Sequence, residues 1–316
     1  MIRPLRDEEI AAVTPIWREL RPDAMHSEAG LRHFVDSFPA RAQAAFWIGE
    51  EDGVVAWCFA HRRWHRATDN GYVWLGVLPR ARGRGLGTKL WELAEEHLAS
   101  TGVARINADA VGDAEGERFL LRRGFEPTRR VVISAVDPRR VDPAELAAGR
   151  EAFEHAGYRL VPYARADPVT LHRFEQALSA DEPGEAGPRR MSFEEWHQEF
   201  FESPDVTLDG SFAILFDDEP VAFSTLSVDV DTRRGRNEGT ATAREHRGRG
   251  LARLAKLAQL RWAANHGIER VVTDNDETNA PMLAVNRRLG YEPFTERLGF
   301  IREGTASPRA RAAPGL

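Results

Sequence analysis

Two short runs carry residue types suited to holding an anion: Arg82-Gly83-Arg84-Gly85-Leu86-Gly87 and Arg247-Gly248-Arg249-Gly250-Leu251-Ala252. Each stands between an apolar strand-like segment and an apolar-periodic, helix-like one. Its amides therefore lie at a helix N-terminus, where unsatisfied N–H groups and the macrodipole favour negative charge. Glycine lets the backbone approach a pyrophosphate closely, and the arginines add charge-assisted donors. Competing phosphate motifs fail on spacing. A GxGxxG pattern needs glycine at 88, where Thr88 stands, and Lys89 is not followed by the Ser or Thr of a P-loop.

The two runs are near copies set 165 residues apart, and each is followed at 42 or 43 residues by a Gly-aromatic pair, in LLRRGFEP at Gly124 and NRRLGYEP at Gly290. Agreement to one residue points to duplication of a whole domain. The first copy reads as strand IRPL, helices over 7–20 and 28–38, and two strands joined at Glu51-Asp52-Gly53, where Asp-Gly favours a hairpin. Then come strand YVWLGVL, the glycine loop, a helix over 86–100, strand ARINADAV, a helix over 115–123 and strand TRRVVISAV. The second copy repeats this order, with FEEWHQEFFE before its hairpin and GTATA as the strand before its loop.

These limits give domains over 1–137 and 158–303, joined by a linker and helix over 138–157 that Asp142 caps, Pro143 opens and Gly157 ends. The run 181–190 is rich in Gly, Pro and charge and reads as a mobile loop; residues 304–316 lack apolar periodicity and read as a disordered tail. A chain of 316 residues fits about two domains. Its net charge of −6 gives no basis for general attraction to nucleic acid. One cysteine excludes a disulfide framework. The start, MIRPLRDEEI, lacks the apolar core of a signal peptide, and no apolar run nears 18 residues, so the expectation is a cytoplasmic protein without a membrane span.

The strand Val77-Leu78-Pro79 leading into Arg82 to Gly87 resembles the acyl-CoA loop of the GNAT superfamily of N-acyltransferases, and the second loop, with Asn275, Asn279, Met282, Asn286 and Leu289-Gly290-Tyr291 behind it, is similar. The resemblance covers nearly the whole chain as two tandem domains, an arrangement also found in mycothiol synthase. It implies an α/β (α+β) fold in each half: a mixed, mostly antiparallel sheet with a splayed central strand pair, flanked by helices. It also implies acetyl-CoA as acyl donor, its pyrophosphate on residues 82–87 or 247–252 and its pantetheine beside Val77 or Thr242. Strand amides freed by the splay would polarise the thioester oxygen.

Within that resemblance, a tyrosine four residues before the Gly-aromatic pair often protonates the departing thiolate; Leu120 and Asn286 stand there, so water or a side chain such as Asn286 must serve. An asparagine eleven residues before the same glycine often contacts the cofactor; Asp113 and Asn279 stand there. The second copy is therefore expected to be catalytic, while the first binds CoA structurally or shapes the acceptor site. A base must deprotonate the amine, and Glu238, four residues before Thr242, is the candidate, against the alternative of an ordinary strand-end acid. The reading is transfer of acetyl from acetyl-CoA to a primary amine of a small molecule by direct attack, with a non-catalytic CoA-binding sensor or scaffold as the alternative.

His61 and His65 fall in a predicted strand, where four residues span ~13 Å, and HExxH is not met, so no metal is expected. Trp47, Trp57, Trp64 and Trp74 read as packing rather than a substrate cage, and Cys58 as a small core residue. The scattered Arg-Arg pairs read as solvated faces. The acceptor and the oligomeric state are left open.

Overall fold

The computed structural model describes residues 1–66, 68–181 and 189–304, so most of the expected mobile loop and the tail from 305 lie outside the described residues. In chain order the elements are β1 (Ile2–Pro4), α1 (Ile10–Leu20), α2 (Glu28–Asp36), β2 (Ala45–Glu50), β3 (Val54–Arg62), β4 (Asn70–Val77), α3 (Leu86–Ser100), β5 (Arg105–Val111), α4 (Ala114–Leu121) and β6 (Glu126–Val136). There follow α5 (Pro143–His155), β7 (Tyr158–Pro162), α6 (Pro168–Leu178), α7 (Phe193–Trp196) running into a π-helical turn (His197–Phe201), β8 (Phe212–Phe216), β9 (Glu219–Asp229), β10 (Arg234–Thr242), α8 (Leu251–Asn265), β11 (Arg270–Asp276), α9 (Ala280–Arg288) and β12 (Glu292–Glu303).

The chain divides into two compact units, and they are not simply its two halves. Unit 1 comprises Met1–Pro22, Phe34–Val131 and the segment from Glu296; unit 2 comprises Asp23–His33 and Val132–Thr295. In unit 1, β1, β2, β3 and β4 pair antiparallel, β5 joins β4 in parallel, and β12, the last strand of the chain, pairs antiparallel with β5. In unit 2, β7, β8, β9 and β10 pair antiparallel, β11 joins β10 in parallel, and the end of β6 lies beside β11. Each copy thus closes with the other copy's final strand.

The apolar patterns place the cores as periodicity requires. In unit 1, Leu90, Trp91, Ala94 and Leu98 of α3 pack on Ala56, Cys58, Ala60 and Val73 of the sheet, with Phe300 of β12 among them. In unit 2, Leu257, Leu260 and Ala263 of α8 pack with Leu226, Val271, Tyr291 and Val136 of β6. The β2–β3 turn forms at the expected place, with Asp52 and Gly53 at φ +47° and +114°. In unit 2 the buried Asp205 carboxylate accepts from the Ser27 amide and hydroxyl, and a Cβ at Gly30 would overlap it, so only glycine admits this close approach.

The tryptophan reading holds in part. Trp57 and Trp74 are buried in an aromatic cluster with Trp17 and Phe59, whereas Trp64 contacts His65 and Arg41 instead. Cys58 is fully buried, and burial pushes its thiol well above the ordinary range.

Because Phe300 belongs to the core of unit 1, Phe300→Ala is expected to cost about 3–5 kcal/mol. Hydrogen–deuterium exchange should show the lost protection in β4 and β5, although the substitution lies in the second half of the sequence.

Candidate functional site

Both glycine loops adopt the form their sequences require. Gly83 and Gly85 have φ of +75° and +83°, Gly248 and Gly250 of +76° and +90°. At Gly83, Gly85 and Gly248 a Cβ would meet only open space, so backbone conformation and not crowding demands glycine. Gly85 and Gly250 are the N-caps of α3 and α8, and neither cap carries a side-chain hydrogen bond to the first helical amides. Arg82 and Arg247 each donate from Nε to the carbonyl of the preceding strand's last residue, Val77 or Thr242, at 3.0 Å. Each loop is thereby stapled to the strand that leads into it.

The two loops differ in charge. In unit 1 the Arg82 guanidinium also pairs with Asp113 at 3.2 Å and Glu115 at 3.0 Å, and Arg84 pairs with Glu51 at 2.6 Å. In unit 2 the positions of the first two acids hold Asn279 and Pro281. Arg249, the counterpart of Arg84, has no ion-pair or hydrogen-bond partner among the described residues. Asp113 and Asn279 cap α4 and α9 through Glu115 N and Met282 N.

Each loop lies at the mouth of a splay. The β4–β5 ladder covers four pairs, ending at Val73↔Ala108, and β10–β11 covers four, ending at Asn237↔Thr273. Beyond those pairs Trp74–Val77 and Gly239–Thr242 remain bonded only to their antiparallel neighbour, so alternate amides face the opening. β10 begins at Arg234, so Glu238 lies mid-strand and not at its start. Here the register against β9 shifts between Asn237 and Gly239, making Glu238 the extra residue of a β-bulge; β4 pairs with β3 without interruption.

Around the vertex of each splay, the helix-facing side chains are chemically opposite in the two units. Unit 1 presents Trp91, Ala94, Val73, Cys58, Ala108, Leu120 and Phe125, all in its apolar core. At the equivalent places unit 2 presents Lys256, Gln259, Asn237, Ser224, Thr273, Asn286 and Tyr291, all buried. Lys256 Nζ donates to Asn237 Oδ1 at 2.9 Å and Thr273 Oγ1 at 3.3 Å, and stands 5.0 Å from the Tyr291 ring centroid. Asn237 Nδ2 donates to Ser224 Oγ and Gln259 Oε1 at 2.9 and 3.0 Å. Asn286 Nδ2 donates to Asn275 Oδ1 at 2.6 Å. Gln259 Nε2, Asn286 Oδ1 and Tyr291 Oη are buried without a partner. Desolvation pulls Lys256 down to about 7, against the nearby Asp274 charge.

On the other side, Arg236 binds Glu238 Oε2 and Asp274 Oδ1, both at 2.9 Å. Glu199, on the π-helical turn, lies close enough to Glu238 to feel its charge. Burial first, with Glu238 and Glu195 adding to it against Arg189, lifts Glu199 up to about 7. The sequence reading missed Glu199 because a π turn shifts the helical face by a residue. Lys256 was also missed; comparison with Trp91 at the equivalent place in the first copy was the available signal.

His61 ends within β3, its ring packed on Phe38 and Phe59, whereas His65 lies beyond the strand. Among the described residues no group of three His, Cys, Asp or Glu could hold a metal ion, and no helix is long and apolar enough to cross a membrane.

Two glycine loops, each at the mouth of a splayed parallel strand pair, repeat one geometry in the two units. The chain belongs to the acetyltransferase (GNAT) family, whose model matches residues 10–125 and 171–291. It is similar to a tandem GNAT protein from the clavulanic acid biosynthesis pathway, at 24% identity over 97% of this chain and 99% of that one, with a TM-score of 0.73. It is also similar to a GCN5-related N-acetyltransferase from Sphaerobacter thermophilus, at 18% identity over 96% and 95% of the two chains, TM-score 0.65. No curated protein matches it significantly in sequence. The tandem GNAT architecture expected from the loops is thus established.

Buried Lys256 also leaves a mark on stability. Between its folded pKa of about 7 and the unfolded value of 10.5, the unfolded chain holds a proton that the folded chain has shed. Stability should therefore rise with pH across that window. Lys256→Met is expected to raise stability at pH 7 and flatten the rise, as denaturant melts from pH 6.5 to 10 would show.

Proposed function

We propose that unit 2 transfers an acyl group, acetyl in the simplest case, from acyl-CoA to a primary amine of a small molecule by direct attack. The observation that carries this reading is the bulge at Glu238, whose carboxylate charge reaches Glu199 beside the splay. Unit 1 has no bulge in β4 against β3.

The pyrophosphate lies on Arg247, Gly248, Arg249, Gly250, Leu251 and Ala252, and the pantetheine arm runs along Thr242, with Asn279 at the foot of α9. Strand amides polarise the thioester oxygen. The amine attacks the thioester carbon, and Glu199 takes its proton. The C–S bond then breaks, and the thiolate takes a proton from a water held by the orphaned Asn286 Oδ1, while the proton on Glu199 passes through solvent to the hydroxide left behind and restores the carboxylate. Glu238, itself held by Arg236, adds to the burial that raises Glu199.

Unit 1 suits binding without turnover. Its loop, from Val77 through Arg82, Gly83, Arg84, Gly85, Leu86 and Gly87, keeps the cradle, while Leu120 stands where the second copy has Asn286 and no bulge adds a carboxylate like Glu238. The sensor or scaffold alternative fits this unit.

The test is the pH dependence of CoA release with an amine panel. Turnover should fall as pH drops through about 7. Glu199→Gln should slow it by about 10²–10⁴ and remove that limb. Glu238→Gln removes the neighbouring negative charge, so the limb should move to lower pH. Profiles unchanged in both variants would remove the pair from the mechanism, and absence of turnover with every amine would favour the sensor reading.

A further inference from the structure

The interior of unit 2 holds a cation without a counter-ion. Lys256 is 0% exposed, and its hydrogen-bond partners, Asn237 and Thr273, are neutral. The one carboxylate whose charge reaches it, Asp274, is held by Arg236 at 2.9 Å. Burying an ammonium this way is costly unless a negative charge is brought to it. Two further buried donors in the same polar interior have no partner among the described residues: Gln259 Nε2, whose amide oxygen is tied to Asn237, and the hydroxyl of Tyr291, whose ring covers Lys256. A hydroxyl, an amide NH₂ and an ammonium together match the acceptor oxygens of a carboxylate.

Their position says which part of a ligand would meet them. Asn237 and Thr273 are the last paired residues before the splay opens. A tail anchored by its pyrophosphate at residues 247–252 enters from the Thr242 end, five residues or ~16 Å away along the strand, so its acyl end reaches deepest. In unit 1 the same vertex is Val73, Ala108 and Trp91, a dry apolar wall.

We infer that unit 2 selects acyl-CoA donors whose acyl chain ends in a carboxylate, with Lys256 as its counter-ion and Gln259 and Tyr291 as the flanking donors. This rests on the reading of unit 2 as an acyl-CoA site and narrows its donor. A short chain with a terminal carboxylate fits; an uncharged chain of equal length leaves the ammonium unpaired.

The experiment is calorimetric titration of the full chain with succinyl-CoA, butyryl-CoA and acetyl-CoA. It is run on a Gly85→Asp background, which sets a carboxylate in the first loop so that the second site is read alone. Succinyl-CoA should bind at least tenfold more tightly than butyryl-CoA, a preference that Lys256→Met and Lys256→Gln should abolish while leaving butyryl-CoA affinity within twofold. Melting curves and butyryl-CoA binding report that both variants fold. Equal affinity for the two esters, or a preference that survives both substitutions, overturns the inference alone. Failure of every ester to bind overturns the acyl-CoA reading of unit 2, and this inference with it.

Discussion

The parallel ladder at the centre of each unit stops after four residue pairs, and the working geometry depends on that stop. A continued ladder would satisfy every amide of β4 and β10 and leave nothing for a ligand's main-chain-like groups. The opening does not drift, because Arg82 and Arg247 tie each strand's final carbonyl to the loop that follows it. Left-handed glycines then turn the chain so that a helix N-terminus faces the mouth. Opened strand, stapled corner and uncapped helix start are one device, built twice.

What differs is how each copy fills the space under the device. Unit 1 uses tryptophan, leucine, phenylalanine and alanine, which stabilise by burial alone. Unit 2 uses lysine, asparagine, threonine and glutamine at matching places, a choice that gives up part of that stabilisation for hydrogen bonds of modest net worth. Orphaned groups remain among them. A polar interior that is incompletely satisfied marks a place where water or a ligand completes the network. The two copies thus differ in the chemistry of their interiors and not in their frame.

The frame was legible from the RGRGL repeat, since glycine and arginine at a strand-to-helix turn have few physical uses and their recurrence at one offset fixes the domain order. Residues acting within one element were legible too: Asp142 as the cap of α5, Cys58 as core. Residues whose meaning depends on a partner far along the chain were not. β12 and β6 each read as the closing strand of its own copy, and nothing local tells a strand which equivalent neighbour to choose. Glu199 was hidden by a π turn, and Lys256 by a helix whose apolar residues suffice to predict it while saying nothing of what covers the rest.

The bulge at Glu238 shows how one residue can be added to a strand without rebuilding the sheet. Side chains alternate along a strand, so a simple insertion would turn every later residue to the opposite face and move Thr240 out of its bond with Ser224. The bulge absorbs the extra residue locally. Before it, Gly235 aligns with Gly71 at an offset of 164; after it, Thr242 aligns with Val77 at 165, and the loops that follow stay in step. Arg236 and Asp274 occupy the places of Tyr72 and Asp109, and the 2.9 Å contact between partners is kept in both units. The second copy thus gains Glu238 at the bulge while the cradle and the splay stay in step with the first.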